Sequence, residues 1–177
     1  TKAQNEVNSL TNQINSMRKK VQRERDETTK DLTNARNDVS KAQKDVNSIQ
    51  KEIDSTNSRI SQLKRNIDKK RKWFKKSKWY QKSYRWAEYS AYAAAKGTEI
   101  GALYTKIGGL ETAKATANAA LEVAKQVLRG IEASIDTFPI DLDPRIAALF
   151  TAKETANAGL VVAKETVKLI EKSIQTI

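Results

Sequence analysis

For its first 96 residues the chain contains neither glycine nor proline, so nothing in the backbone obliges a helix to stop there. Along this stretch Ala3, Val7, Leu10, Ile14, Met17 and Val21 recur at alternating spacings of four and three. The alternation resumes with Leu32, Ala35, Val39, Ala42, Val46, Ile49, Ile53, Thr56, Ile60, Leu63 and Ile67. Spacing of this kind is an apolar seam on an α-helix, as narrow as that of a coiled coil. Between Val21 and Leu32 the interval is eleven residues, so the register shifts within the charged stretch Gln22 to Asp31. A stutter that locally unwinds the supercoil is expected there; a hairpin turn is the alternative, but the stretch lacks Gly, Pro and Asn.

Away from the seam the side chains are Asn, Ser, Gln and charged groups, which stay in water. A lone helix with so thin a stripe does not hold together at this length, so the stripe needs a partner helix. That partner comes from later helices of the chain, from another copy, or from sequence outside it. The expected helix–helix contacts here are Val39, Val46, Ile49, Ile53, Ile60, Leu63 and Ile67. Val and Ile at both seam positions do not choose between two strands and more.

The net charge of +12 is concentrated in one place. Residues 1–68 carry +4, residues 69–86 carry +9 with no acidic side chain, and residues 87–177 carry −1. The basic block, KKRKWFKKSKWYQKSYR from Lys69 to Arg85, also holds five aromatic residues. A local positive field of this kind favours polyanions: anionic lipid headgroups, acidic polymers or nucleic acid. The residues expected to contact an anionic surface are Lys69, Lys70, Arg71, Lys72, Lys75, Lys76 and Lys78, with Trp73, Phe74, Trp79 and Tyr80 entering a lipid interface or stacking on bases. The competing reading packs Trp79, Tyr80, Tyr84, Trp86, Tyr89 and Tyr92 into the helices that follow, with flanking lysines that only snorkel. Nucleic acid is the weaker anion, since no zinc-finger spacing, RNP-like strand or helix-turn-helix pattern accompanies the basic block.

The first helix is expected to run on through this collar and end at Gly97, about 140 Å from its start at 1.5 Å per residue, with Gly97 as C-terminal cap and Thr98 capping the next helix. Beyond it the sequence repeats. Lys106 to Ile135 aligns without gaps on Arg145 to Ile174, with 17 of 30 positions identical, which implies one helical unit used twice. The face expected to be buried in the first copy is Leu110, Ala113, Ala117, Leu121, Ala124, Leu128, Ile131 and Ile135. In the second copy it is Leu149, Ala152, Ala156, Leu160, Ala163, Val167, Ile170 and Ile174. Faces so rich in alanine bury little area, so a third helix is expected, and the aromatic end of the first helix is available. In the connection Asp136 to Arg145, Asp143 followed by Pro144 reads as an N-cap and first helical residue rather than part of a calcium loop. Gly108 and Gly109 are expected to mark a kink or a close backbone contact.

The fold class expected is therefore all-α. Residues 1–68 form a polar coiled-coil stalk, 69–96 a basic aromatic collar, and 97–177 an alanine-rich helical hairpin, giving an antiparallel bundle of about three helices. The chain has no cysteine and no histidine, which removes disulfides, the commonest zinc ligands and the Ser-His and Cys-His nucleophile pairs. No metal, cofactor or small-molecule substrate is expected, and no enzyme activity. No apolar run approaches the roughly 20 residues that span a bilayer. No signal-peptide pattern opens the chain, and its start at Thr1 reads as a processed product or a piece of something longer. The function expected is that of a structural and interaction module, a homo-oligomer or a partner of other helices, whose collar contacts an anionic surface. A peripheral membrane-binding, remodelling or pore-forming protein is the alternative, and nonspecific nucleic-acid binding the second.

Overall fold

A computed structural model describes residues 2–175. Thr1, Thr176 and Ile177, the outermost residues of the expected stalk and hairpin segments, lie outside the described residues. The fold is all-α: helix α1 spans Lys2–Lys75, α2 Lys82–Ser134 and α3 Pro144–Gln175. Two 3-10 turns, Trp79–Gln81 and Ile140–Leu142, lie in the connections. The helices form two compact units, Asn34–Arg129 and Thr1–Thr33 with Gly130–Ile177.

In the unit Asn34–Arg129, α2 lies along α1. Arg59 pairs with Glu99 at 2.9 Å, Lys70 with Glu88 at 2.6 Å and Lys106 with Glu52 at 2.8 Å. Partner numbers in α2 fall as those in α1 rise, so the two run antiparallel. Lys114 also donates to the Gln50 side-chain oxygen. Between them the seam disappears from solvent: Ala35, Val46, Ile53, Thr56, Ile60 and Leu63 are buried, and so are Ile107 and Leu121 of α2. Val39, Ile49 and Ile67 are half-buried. Thr56 is the one polar member of the seam, and its hydroxyl donates to the Glu52 carbonyl one turn back at 2.8 Å, so it is buried without an unmet hydrogen bond. The thin stripe is stable here because the same chain supplies its cover.

The other unit repeats this arrangement with a different helix. Ile14 and Val21 of α1 pack with Ile146 of α3, which is fully buried, and Met17, Ile140, Leu149 and Phe150 close around them. Asp143 caps α3: its carboxylate accepts the Arg145 backbone N–H at 3.0 Å and its carbonyl accepts the N–H groups of Ile146 and Ala147 at 2.9 Å. Pro144, whose missing N–H costs nothing at this position, is the first helical residue. Arg145 reaches back to Asp143 and across to Glu24, both at 2.9 Å. Its guanidinium, through the side-chain bond first, holds the Asp143 carboxyl below the ordinary aspartate value of 3.8, at about 2.

Two expectations about the backbone change. Helix α1 ends at Lys75, not at Gly97, and Gly97 and Thr98 lie inside α2, where the Thr98 hydroxyl bonds the Ala94 carbonyl at 3.1 Å. The absence of Gly and Pro left the helix free to continue without requiring it. Lys72, Lys75, Lys76 and Lys78 would repel one another at three- and four-residue spacings on a continued helix. Ending it at Lys75 puts Lys72 and Lys75 at the negative end of the helix dipole and lets α2 fold back onto the seam. At Gly108 and Gly109 the close backbone contact, one of the two expectations, is absent: both lie within α2 with open space where a Cβ would stand.

A candidate anionic-surface site at the helical reversal

The basic block forms the reversal from α1 into α2. Lys76 N–H donates to the Lys72 carbonyl at 3.3 Å and Ser77 N–H to Phe74 at 2.9 Å, while the Ser77 hydroxyl also donates to Phe74. Lys78 is extended, with φ −68° and ψ 159°. Its carbonyl accepts the Gln81 N–H at 2.9 Å, and the Gln81 side-chain oxygen accepts the Lys78 N–H at 3.4 Å. No residue in the reversal needs a positive φ, which is how the turn forms without glycine.

This geometry divides the aromatic residues into two groups. Phe74 packs against Trp86 at 5.2 Å between ring centroids and against Tyr89 at 5.9 Å, and Trp86 meets Tyr89 at 5.8 Å. Trp73 is half-buried, with Lys70 Nζ 4.0 Å and the Arg85 guanidinium 4.6 Å from its ring. These rings, separated by the turn in sequence, tie α1 to α2. Trp79 and Tyr80 point away: they are 85% and 59% exposed and meet only edge-on, at 5.8 Å and 89°. Tyr84 is exposed as well.

The cations divide in the same way. Lys70 is tied to Glu88. Arg71 and Lys72 bond Asp68 at 2.8 and 3.0 Å, and these two bonds, that of Lys72 the stronger, hold the Asp68 carboxyl below its ordinary value. Lys69, Lys75, Lys76 and Lys78 are exposed and form no ion pair among the described residues, nor does Lys82. Of the eleven residues expected to contact an anion, the turn itself therefore brings together Lys75, Lys76, Lys78, Trp79 and Tyr80, while Trp73 and Phe74 lie between the helices. Lys82 joins the exposed set. A continuous helix would have spread these side chains around its circumference, which is why the sequence did not single them out together.

The expected helix–helix residues outside α1 fare differently from one another. Leu121 is buried, Leu128 and Leu160 are half-buried, and Val167 is 53% exposed. A further pair was absent from the expected contacts. Within the eleven-residue interval, Arg25 and Thr28 occupy the inward positions between Val21 and Leu32, and both are half-buried. They line a cavity of about 230 Å³ with Ser134, Ile135 and Asp136, and Arg25 bonds Asp136 at 3.0 Å. The seam turns polar where its cover is a polar connection instead of a helix, and the broken spacing was the signal for it.

Among the described residues no helix is long and apolar enough to cross a membrane, and no three His, Cys, Asp or Glu side chains are grouped to hold a metal ion. Comparison with protein-family models, with curated proteins and with solved structures finds no match.

Proposed function

We propose that the chain is a non-catalytic structural and interaction module, in which α1 forms a coiled coil with the chain's own helices and the reversal at residues 75–82 presents a basic, aromatic surface to an anionic partner. The observation that carries this reading is the cluster at the turn: four lysines without ion pairs beside an exposed Trp-Tyr pair, while Phe74 packs on Trp86 and Tyr89, and Lys70, Arg71 and Lys72 are held in ion pairs. Fields of this sign attract polyanions and fade with salt. Binding of the intact chain to an anionic surface, compared with a neutral one, tests the reading. Binding that disappears near 0.5 M salt, where the Debye length is only about 4 Å, supports it. Equal binding to neutral surfaces contradicts it.

A second part of the reading concerns self-association, through the bundle of which the two repeated helices form part. In the second copy of the repeat, Val161, Val162, Val167, Leu169, Ile170 and Ile174 are more than half exposed. A standard interface removes about 800 Å² from each partner, so the uncovered face of α3 is suited to further helices, from a second copy or from another protein. Sedimentation across a concentration series tests this: mass that rises with concentration and survives high salt supports an apolar contact, and a monomer at all concentrations removes the homo-oligomer.

A further inference from the structure

We propose that the surface met by the reversal is the interface of a bilayer carrying anionic phospholipid, and that Trp79 and Tyr80 are the side chains that enter it. The proposal rests on the reading above, that the basic turn meets an anion, and adds which anion and which residues.

Of the eight rings near the turn, Trp73, Phe74, Tyr89 and Tyr92 are half-buried, while Trp79, Tyr80, Tyr84 and Trp86 are exposed. Trp86 packs on two neighbours. Trp79, with the largest apolar area of any side chain type, is instead left 85% exposed at the apex. Among the described residues Trp79 and Tyr80 make no ring contact across the reversal, whose backbone is closed by Ser77, Lys78 and Gln81. Rings with an apolar body and one polar group are at home at the boundary between acyl chains and headgroups, where lysines a few residues away extend to the phosphates. Lys75, Lys76, Lys78 and Lys82 stand within four residues of Trp79.

Charge complementarity selects an anionic bilayer over a neutral one. No acidic residue occurs from Lys69 to Ala87, and the carboxylates on either side, Asp68 and Glu88, are already neutralised by Lys72, Arg71 and Lys70. Shape selects lipid over single-stranded nucleic acid. Base stacking needs ring faces laid along a groove that follows the backbone, whereas Trp79 and Tyr80 stand edge to face on one tight turn. The insertion is that of two side chains on one turn, and among the described residues no helix is long and apolar enough to cross a membrane.

The test uses the intact chain with vesicles of phosphatidylcholine alone and of phosphatidylcholine with phosphatidylserine. Co-sedimentation with the anionic vesicles only is expected, together with a blue shift of tryptophan emission that Trp79→Phe removes and that shallow-labelled quenching lipids diminish. Trp79→Ala should weaken partitioning roughly tenfold, and Lys76→Gln and Lys78→Gln about fivefold each at low salt. These side chains are exposed, and circular dichroism checks that each variant keeps its helices. Binding to anionic vesicles with unchanged emission and no loss in Trp79→Ala would overturn the insertion while leaving a basic contact in place. Failure to bind any anionic surface would overturn both readings. Binding of single-stranded oligonucleotide with quenched Trp79 emission, and none to vesicles in the same buffer, would replace lipid by nucleic acid.

Discussion

The two copies of the thirty-residue repeat share most of their sequence but end in different surroundings. In the first copy Leu121 is 5% exposed, and Leu128, Ile131 and Ile135 are half-buried; in the second, Leu160 is half-buried, while Val167, Ile170 and Ile174, the counterparts of the last three, are 53%, 54% and 67% exposed. The same apolar face is a core in one place and a surface in the other. Its sequence therefore encodes a capacity for pairing with a helix, and whether that capacity is used depends on which part of α1 lies alongside. A repeat identified from sequence alone says that two helices have alike faces, without saying that both are covered.

The largest expected effect separates the copies by stability. Leu121→Ala removes a side chain from a closed contact and should cost about 2–5 kcal/mol in urea unfolding, whereas Val167→Ala, at an exposed position, should stay within about 0.5 kcal/mol. Equal costs would mean that the second copy is covered after all. Next in size is an effect on association: Ile170→Glu places a charge on the open face and should reduce self-association at least tenfold without altering helix content, measured by sedimentation. The corresponding change in the first copy, Ile131→Glu, should instead lower stability.

A pH effect belongs to the second copy only, since its start is capped and the first copy begins in mid-helix. The Asp143 carboxyl is held at about 2 by Arg145, below its value in an unfolded chain. The cap's contribution is therefore complete above about pH 4 and is lost as pH falls toward 2. Hydrogen exchange of residues 144–150 should accelerate across that window. Asp143→Asn, which cannot titrate, should reduce the pH dependence and leave the part due to Glu24 and Asp141, whose carboxyls Arg145 and Arg18 also hold below their ordinary values. The smallest effect expected is a gain. Gly108 and Gly109 of the first copy stand where the second has Ala147 and Ala148, and open space surrounds both glycines. Gly108→Ala should stabilise by about 0.5–1 kcal/mol in thermal unfolding.

Much of the fold was legible because a helix seam is a local pattern. Every seam residue expected in α1, from Ala3 to Ile67, is buried or half-buried, since a period of 3.5 residues fixes which side chains share a face wherever the cover comes from. The source of the cover was not legible, because coverage is a long-range property. The break at Lys75 was hidden by the lack of Gly or Pro, the usual signals: it is made by lysine repulsion, a serine and one extended residue. That hidden break also scattered the candidate site. Trp73 and Phe74, adjacent to the cations in sequence, lie between helices, and Trp79 and Tyr80 project only because the chain reverses there. Arg25 and Thr28 were recoverable from the eleven-residue interval, had it been read as a seam whose cover becomes polar.

This chain covers one copy of its repeat and leaves the far half of the other open. Hydrogen exchange with peptide resolution, at protein concentrations low enough to suppress association, measures that directly. Slow exchange across residues 117–131 with fast exchange across 161–174 is the predicted outcome, the second stretch slowing as concentration rises if a second copy covers it. Equal protection of both stretches in dilute solution would contradict the account.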